Sequence, residues 1–381
     1  MIRFLLAILL LLISLLAVFR APEYHLWMLA ILVTEFPWIF MALTIGLILM
    51  GFYTNKYHLA GTTTAIIALM LFTSPIIRAY TVAGSLKQAF TQAFAPDDSS
   101  TDSLGNLVPF SFWKQFSRTT KIACRQITYS NPIGANLTLD YYPSQLAGKR
   151  PCVIVVHGGS WSKGDNKQLP ELNSYLASIG YNVAAINYRL APAFQNPAPI
   201  IDIHAAINYL REHATELRVD TNNFVLLGRS AGAQVALLAA YTLTEPGLKG
   251  VIDYYGPADM VWGYSAPASP LVMNSRKVME NYLGGKYRQI PQKYHESSPI
   301  EFVTHQTVPT LIIHGDNDVL VSPEHSTRLN AKLKQNIIKH FLLKLPWATH
   351  GFDYNLNGPG GQLATYTVVR FLNQVVPYKP E

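Results

Sequence analysis

The first 78 residues and the rest of the chain follow different rules of hydrophobic patterning. Residues 4–19 form an apolar run broken only by Ser14 and bracketed by Arg3 and Arg20. A second apolar stretch covers 37–53, with 26–33 as an apolar lead-in and Glu35 at its edge, and a third covers 61–77 and stops at Arg78. A hydrocarbon core of about 30 Å takes roughly 20 apolar helical residues, with about 17 as a working minimum. Each run is short by that measure, yet three follow one another with six charged side chains among 78 residues. The pattern predicts a membrane anchor of about three transmembrane helices over 1–78, with a helical hairpin packed on the following domain as the alternative. The first run is too long for a signal-peptide core, and no small-x-small cleavage site precedes Glu23.

Residues 79–121 are expected to be a connector. Its first part, LKQAFTQAF, suits a short amphipathic helix near the membrane surface, and DDSSTDSLGN at 97–106 a polar, turn-rich linker. From about residue 122, short β-rich runs alternate with helical stretches, which predicts a mostly parallel sheet covered by helices on both faces. Strands are expected at 137–142, 153–156, 183–187, 224–227, 250–255, 310–313 and 341–345. Helices are expected near 168–179, 199–213, 231–241, 324–335 and 361–375. Residues 259–308 interrupt the rhythm with about fifty residues rich in Pro, Tyr and Ser, longer than a simple connection needs. They are expected to form a cap over the site.

Composition adds exclusions. The formal net charge is +7, but both signs are interspersed beyond residue 78 and no Lys/Arg stripe forms, so no nucleic-acid partner is implied. Cys124 and Cys152 make no CxxC pair and no His cluster has zinc spacing, so no metal is expected. Cys152 opens the run PCVIVV and is expected to be a buried thiol. Arg3 with the N-terminal amine, and Lys56 with His58, fall on one side of a three-span anchor, and Arg20 and Arg78 with Glu23 and Glu35 on the other. The slight excess on the first side predicts a cytoplasmic N-terminus and an extracytoplasmic C-terminal domain.

The chemistry concentrates in four places. FVLLGRSAGAQVALL (224–238) sets G-x-S-x-G between an apolar strand and an Ala-rich helix. A sharp strand-to-helix turn there lifts the Ser230 hydroxyl above the sheet and aims the Ala231 N–H at a developing oxyanion. His157-Gly158-Gly159 ends the VIVV strand, and the small residues let Gly158 and Gly159 supply the remaining amide donors. No GK[ST] or GxGxxG accompanies them, so a phosphate loop is not implied. LIIHGDND (311–318) places carboxylates just past a strand, and His350 follows the next strand before Gly351. The candidate triad is Ser230 as nucleophile, His350 as base and Asp318 as acid, with Asp316 and Asp259 as rival acids. His157 and His314 are expected to support loops.

These motifs, with NYRLAP (187–192) and SPIEFV (298–303), make residues 122–376 similar to the esterase/lipase branch of the α/β-hydrolase superfamily. The likeness is nearest to HGG-loop carboxylesterases, feruloyl-esterase-like enzymes and kynurenine formamidases. It implies an eight-stranded α/β-hydrolase fold over 122–381 and cofactor-free ester hydrolysis through an acyl-enzyme. The substrate would be a small-molecule or lipid-borne acyl ester. Arg229 stands where the hormone-sensitive-lipase-like branch usually has Asp, and Ser160 replaces its third loop glycine. Isoprenylcysteine methylesterases likewise join a membrane segment to such a domain. The same triad serves acyltransferases and amidases, and a non-catalytic binding module is the reading from a different class. Oligomeric state is not legible.

Overall fold

The computed structural model describes residues 1–53, 57–94 and 107–377. Lys56 and the expected 97–106 linker lie outside the described residues.

Eight strands form one sheet: β1 (Arg125–Ser130), β2 (Leu137–Tyr142), β3 (Arg150–Val156), β4 (Asn182–Ile186), β5 (Val219–Arg229), β6 (Leu248–Tyr254), β7 (Thr310–Gly315) and β8 (His340–Leu345). Their order is β1-β2-β4-β3-β5-β6-β7-β8. β1 pairs antiparallel with β2 and β2 antiparallel with β4, and every later pairing is parallel. The central strands β3, β4 and β7 are buried along their whole length, which is why they read as unbroken apolar runs. The sequence reading missed β1, because an edge strand of composition RQITYS buries little and carries no such run.

Helices α6 (Ala198–Glu212), α7 (Ala231–Thr242) and α11 (Glu324–Gln335) bury one sheet face. The other face is covered by α5 (Pro170–Ser178), α12 (Pro359–Val375) and, unexpectedly, the second half of α4 (His58–Phe94). Residues 259–308 fold as α8 (Met260–Ser265), α9 (Ser275–Leu283) and α10 (Pro291–Glu296) with loops between them. Cys152 is buried in β3 and Cys124 is exposed, both as free thiols.

The N-terminal region departs from expectation in three ways. The first apolar run is a short helix, α1 (Ile2–Ser14), continued by one 3₁₀ turn to Ala17. The lead-in and the second stretch are separate helices, α2 (Tyr24–Glu35) and α3 (Pro37–Leu49), and the chain bends by 84° between them. Pro37 explains the break: a residue before proline is pushed out of the α region, and Phe36 sits at φ −128°. Among the described residues, α4 is the one single helix long and apolar enough to cross a membrane, and α2 with α3 pass that test only as a bent pair.

The third departure corrects the expected connector. α4 runs unbroken for 37 residues, about 55 Å, so LKQAFTQAF is its continuation and not a separate surface helix. Leu86, Phe90 and Phe94 are buried. Phe90 packs edge-on against Phe341 of β8 at 5.3 Å, and Phe94 against Phe371 of α12 at 5.7 Å. At the far end, Arg3 ties α1 to its neighbours, donating to the carbonyl of Leu47 at 2.8 Å and to the Thr62 hydroxyl at 2.6 Å.

Candidate active site

Each candidate side chain stands where a β-strand of the parallel part ends. β5 delivers Ser230, which opens α7 at φ 53°, ψ −121°, a strained conformation for a residue with a side chain. The flanking glycines permit it. A Cβ on Gly228 would meet the backbone of Gly232 and Ala233, and one on Gly232 the carbonyls of Val156 and His157. β7 delivers Asp318 and the turn after β8 delivers His350.

The three come together. His350 Nε2 lies 3.0 Å from Ser230 Oγ, and His350 Nδ1 lies 2.7 Å from Asp318 Oδ2. An ionised carboxylate only accepts, so Nδ1 carries the ring proton and Nε2 is left to accept from the serine hydroxyl. Asp318 Oδ1 takes the amides of Leu320 and Val321, each at 2.9 Å. Burial pushes the Asp318 carboxyl up, but the charges and hydrogen bonds of His350 and His314 outweigh it and hold the group well below the usual carboxylate range.

His314 sits behind the acid. Its Nε2 faces the Val321 carbonyl at 3.0 Å and Asp318 Oδ2 at 3.2 Å, and its Nδ1 faces the Ser326 hydroxyl at 2.6 Å. His157 is buried, stacks on Tyr188 with ring centres 4.3 Å apart, and is pushed down in pKa by burial. Both occupy the supporting positions expected of them. Neither rival acid bonds the His350 ring among the described residues. Asp259 caps α8 through the Trp262 amide at 2.8 Å and pairs with Arg328 at 2.9 Å. Asp316 is half-buried, and its carbonyl receives Arg20 at 2.8 Å.

The candidate amide donors need one correction. The Gly158 N–H is turned to Gln168 Oε1 at 2.7 Å, so it is committed to holding the loop. The amides of Gly159 and Ala231 find no acceptor among the described residues. Gly159 sits at φ 123°, where a side chain is not tolerated. Close approach is also needed at Gly158, whose added Cβ would lie 2.9 Å from the Arg229 carbonyl.

Arg229, directly before Ser230, is buried and pairs with Asp353 through Nε–Oδ2 at 2.5 Å. Asp353 Oδ1 takes the Tyr255 hydroxyl at 2.5 Å, and the Tyr255 ring lies against His350 with centres 4.4 Å apart. Tyr255, Asp353 and Gln168 carried no motif and were not anticipated.

Two cavities meet at Ser230. One, of about 590 Å³, is lined by Arg20, Pro22, Trp262, Val272 and Met279 among others. The second, of about 430 Å³, is lined by Tyr24, Trp27, Gly159, Lys163, His350 and Tyr354 among others. Both fall in the size range of small-molecule sites. Segment 259–308 therefore contributes walls, and so does the stretch between α1 and α2. The Trp27 indole donates to the His350 carbonyl at 3.0 Å, the Tyr24 amide to the Leu271 carbonyl at 3.2 Å, and Asn317 to the Val18 carbonyl at 3.2 Å.

A parallel sheet with an antiparallel edge, a strained serine between strand and helix, and a His and an Asp on the next strand ends define an α/β-hydrolase of the esterase/lipase type. Residues 139–333 match the BD-FAE family model, and the chain belongs to that family. It is 29% identical over 238 residues to Esterase LipQ of Mycobacterium tuberculosis (strain ATCC 25618 / H37Rv), covering 58% of this chain and 56% of the relative. It is 29% identical over 242 residues to Esterase LipC of the same strain, covering 59% and 58%. The chain thus spans a little over half the length of these relatives. Among solved structures, an esterase from the Planctomycetes species Thermogutta terrifontis aligns with a TM-score of 0.58 at 21% identity, over 68% of this chain and 95% of that one. A truncated carbohydrate esterase from gut microbiota aligns with a TM-score of 0.56 at 22% identity, over 68% and 99%. These likenesses support the fold.

Proposed function

We propose that the chain is a membrane-anchored carboxylic ester hydrolase that works through an acyl-enzyme on Ser230. The observation that carries the reading is the continuous hydrogen-bonded line from Ser230 Oγ through His350 to Asp318 at the mouth of two cavities. In this reading His350 Nε2 takes the serine proton as Oγ attacks the acyl carbon. The amides of Gly159 and Ala231 receive the oxyanion. Collapse of the tetrahedral adduct expels the alcohol, which leaves with the proton from His350. A water then repeats the sequence on the acyl-serine, releasing the acid and restoring Ser230. Asp318 keeps the ring in the productive tautomer and stabilises the imidazolium. Segment 259–308 acts as the cap that shapes the cavities.

The anchor in this reading consists of α1, α3 and the first half of α4, with the N-terminus cytoplasmic and the catalytic domain outside. Its support is the distribution of exposed apolar surface. Of 34 large hydrophobic side chains exposed among the described residues, 28 fall in residues 1–116 and six in the remainder. Soluble surfaces do not concentrate apolar area in this way.

The test is labelling by a fluorophosphonate probe. Wild-type protein is expected to label and Ser230→Ala to lose the label entirely, and a labelled Ala variant refutes the assignment. Acyl transfer to another alcohol or amide cleavage uses the same triad, and product analysis with and without an added alcohol separates these from hydrolysis.

A further inference from the structure

Helix α2 carries two adjoining stripes, one turned to the catalytic domain and one left exposed. Trp27, Ile31 and Glu35 face the catalytic domain at helical spacing. Trp27 bonds the His350 carbonyl at 3.0 Å, Ile31 lies against the Gly351 turn, and Glu35 Oε2 takes the Gly360 amide at 2.8 Å. On the adjoining stripe, Tyr24, Met28 and Leu32 recur every four residues and are 40%, 49% and 49% exposed. The bend of 84° from α3 lays α2 crosswise to that helix. A helix perpendicular to a spanning helix, with an exposed apolar stripe along its length, has the geometry of an in-plane interfacial helix.

Its neighbourhood continues the same surface. Of the six exposed large apolar residues outside 1–116, two stand beside α2 at the site. Leu271 is 71% exposed and bonded through its carbonyl to the Tyr24 amide, and Tyr354 lines the second cavity together with Tyr24. Trp113 and Phe116 are exposed on a turn that also carries Lys114, and Phe116 packs against Trp38 of α3 at 5.2 Å. Arg118 and Lys121 share the adjoining groove with Trp38. Aromatic and basic side chains together at one level are the usual signature of the lipid headgroup region.

We propose that α2 lies in the plane of the bilayer as a thin wall between lipid and Ser230, and that the substrates are lipid-borne acyl esters that enter from the membrane. The inference rests on the ester-hydrolase reading above and names its substrate class. The acyl chain occupies the first cavity, walled by Trp262, Val272, Val278 and Met279. The alcohol portion occupies the second, where His350 returns a proton to it and Lys163 stands at the wall. An ester dissolved in water gains nothing from the apolar rim of Tyr24, Leu271 and Tyr354, whereas a lipid moving out of the bilayer keeps its chain against apolar surface throughout.

The experiment uses the full chain reconstituted in phosphatidylcholine vesicles. It compares hydrolysis of water-soluble p-nitrophenyl acetate with hydrolysis of resorufin oleate dissolved in the same bilayer. Wild type is expected to cleave both. In Met28→Glu/Leu32→Glu, whose changes lie on the outer face of α2, the ratio of oleate to acetate turnover is expected to fall roughly tenfold or more. Met28→Trp/Leu32→Trp, which suits an interface, is expected to keep the ratio, and circular dichroism melts establish that all variants are folded. A wild type that cleaves acetate but not the bilayer ester overturns the inference, as does an unchanged ratio in the Glu variant. If neither ester is cleaved, the ester-hydrolase reading falls and takes this inference with it, so the acetate arm tells the two failures apart.

Discussion

Removing the carboxylate of Asp353 tests how a buried arginine is tolerated directly before Ser230. Arg229 is 2% exposed, and its Nε–Oδ2 contact with Asp353 is 2.5 Å. Its other near neighbour is the Tyr254 ring, 5.6 Å from the guanidinium carbon, and its Nη1 has no hydrogen-bond partner. Asp353→Ala leaves this cation buried without a counter-ion, which costs about 3–5 kcal/mol. The Tyr255 hydroxyl loses its acceptor as well, adding about 1 kcal/mol. For a domain of this size, 1 kcal/mol moves the melting temperature by roughly 2–4 °C, so a fall of about 10 °C or more is expected. The measurement is thermal denaturation in detergent, run beside the double variant Arg229→Met/Asp353→Leu. That variant removes both charges and keeps apolar volume, so it is expected to recover most of the loss. The Tyr255 ring rests on His350, so kcat in the single variant is expected to fall along with stability. A single variant that loses less than about 1 kcal/mol, or a double variant no more stable than the single, refutes the reasoning.

Two further outcomes follow from buried carboxylates. Asp318→Asn keeps the shape of the acid but can hold the wrong His350 tautomer, so kcat is expected to fall by roughly 10³–10⁴ while KM changes little; a fall under tenfold counts against Asp318 as the acid. Burial, opposed by the nearby His314, pushes the Asp253 carboxyl up to about 7. The folded chain therefore keeps a proton that the unfolded chain releases above its ordinary value of about 3.9, and stability falls as pH rises between the two, by at most about 1.4 kcal/mol per pH unit. Asp253→Asn retains an acceptor for the Gly256 amide, bonded at 2.7 Å, and cannot ionise. It is expected to melt with wild type near the lower limit and above it near pH 8, and parallel melting curves across that range contradict the assignment.

The parts of the site legible in the sequence are those whose geometry is local. Gly228-Arg229-Ser230-Ala231-Gly232 sits between an apolar strand and a helix, and crowding on both sides of Ser230 demands glycine within a few residues of chain. His157-Gly158-Gly159 carries a similar local signal, but the sequence offered both amides equally. Only the fold shows Gln168 taking the first of them. The sequence left Asp316 as a rival to Asp318, and the structure adds the Leu320 and Val321 amides that hold the Asp318 carboxylate and its contact with His350. Tyr255 and Asp353 were silent because a tyrosine and an aspartate mean nothing in particular until the fold sets the carboxylate between a buried arginine and the tyrosine hydroxyl.

The sequence alone determined the run of buried strands and the strand–serine–helix turn, because each is set by residues close along the chain or by alternation within one element, and it placed Ser230, Asp318 and His350 each just past a strand. It also determined that the first 78 residues are too apolar for an ordinary water-facing surface. What those apolar residues pack against was decided by the tertiary structure. Phe90 and Phe94 cover the sheet where a surface helix was expected, and Trp27 reaches the carbonyl of His350 from a segment that reads as part of an anchor. The physical reason is that hydrophobic burial has no direction: a phenylalanine gains as much against a sheet as against lipid, and only the assembled fold selects between them.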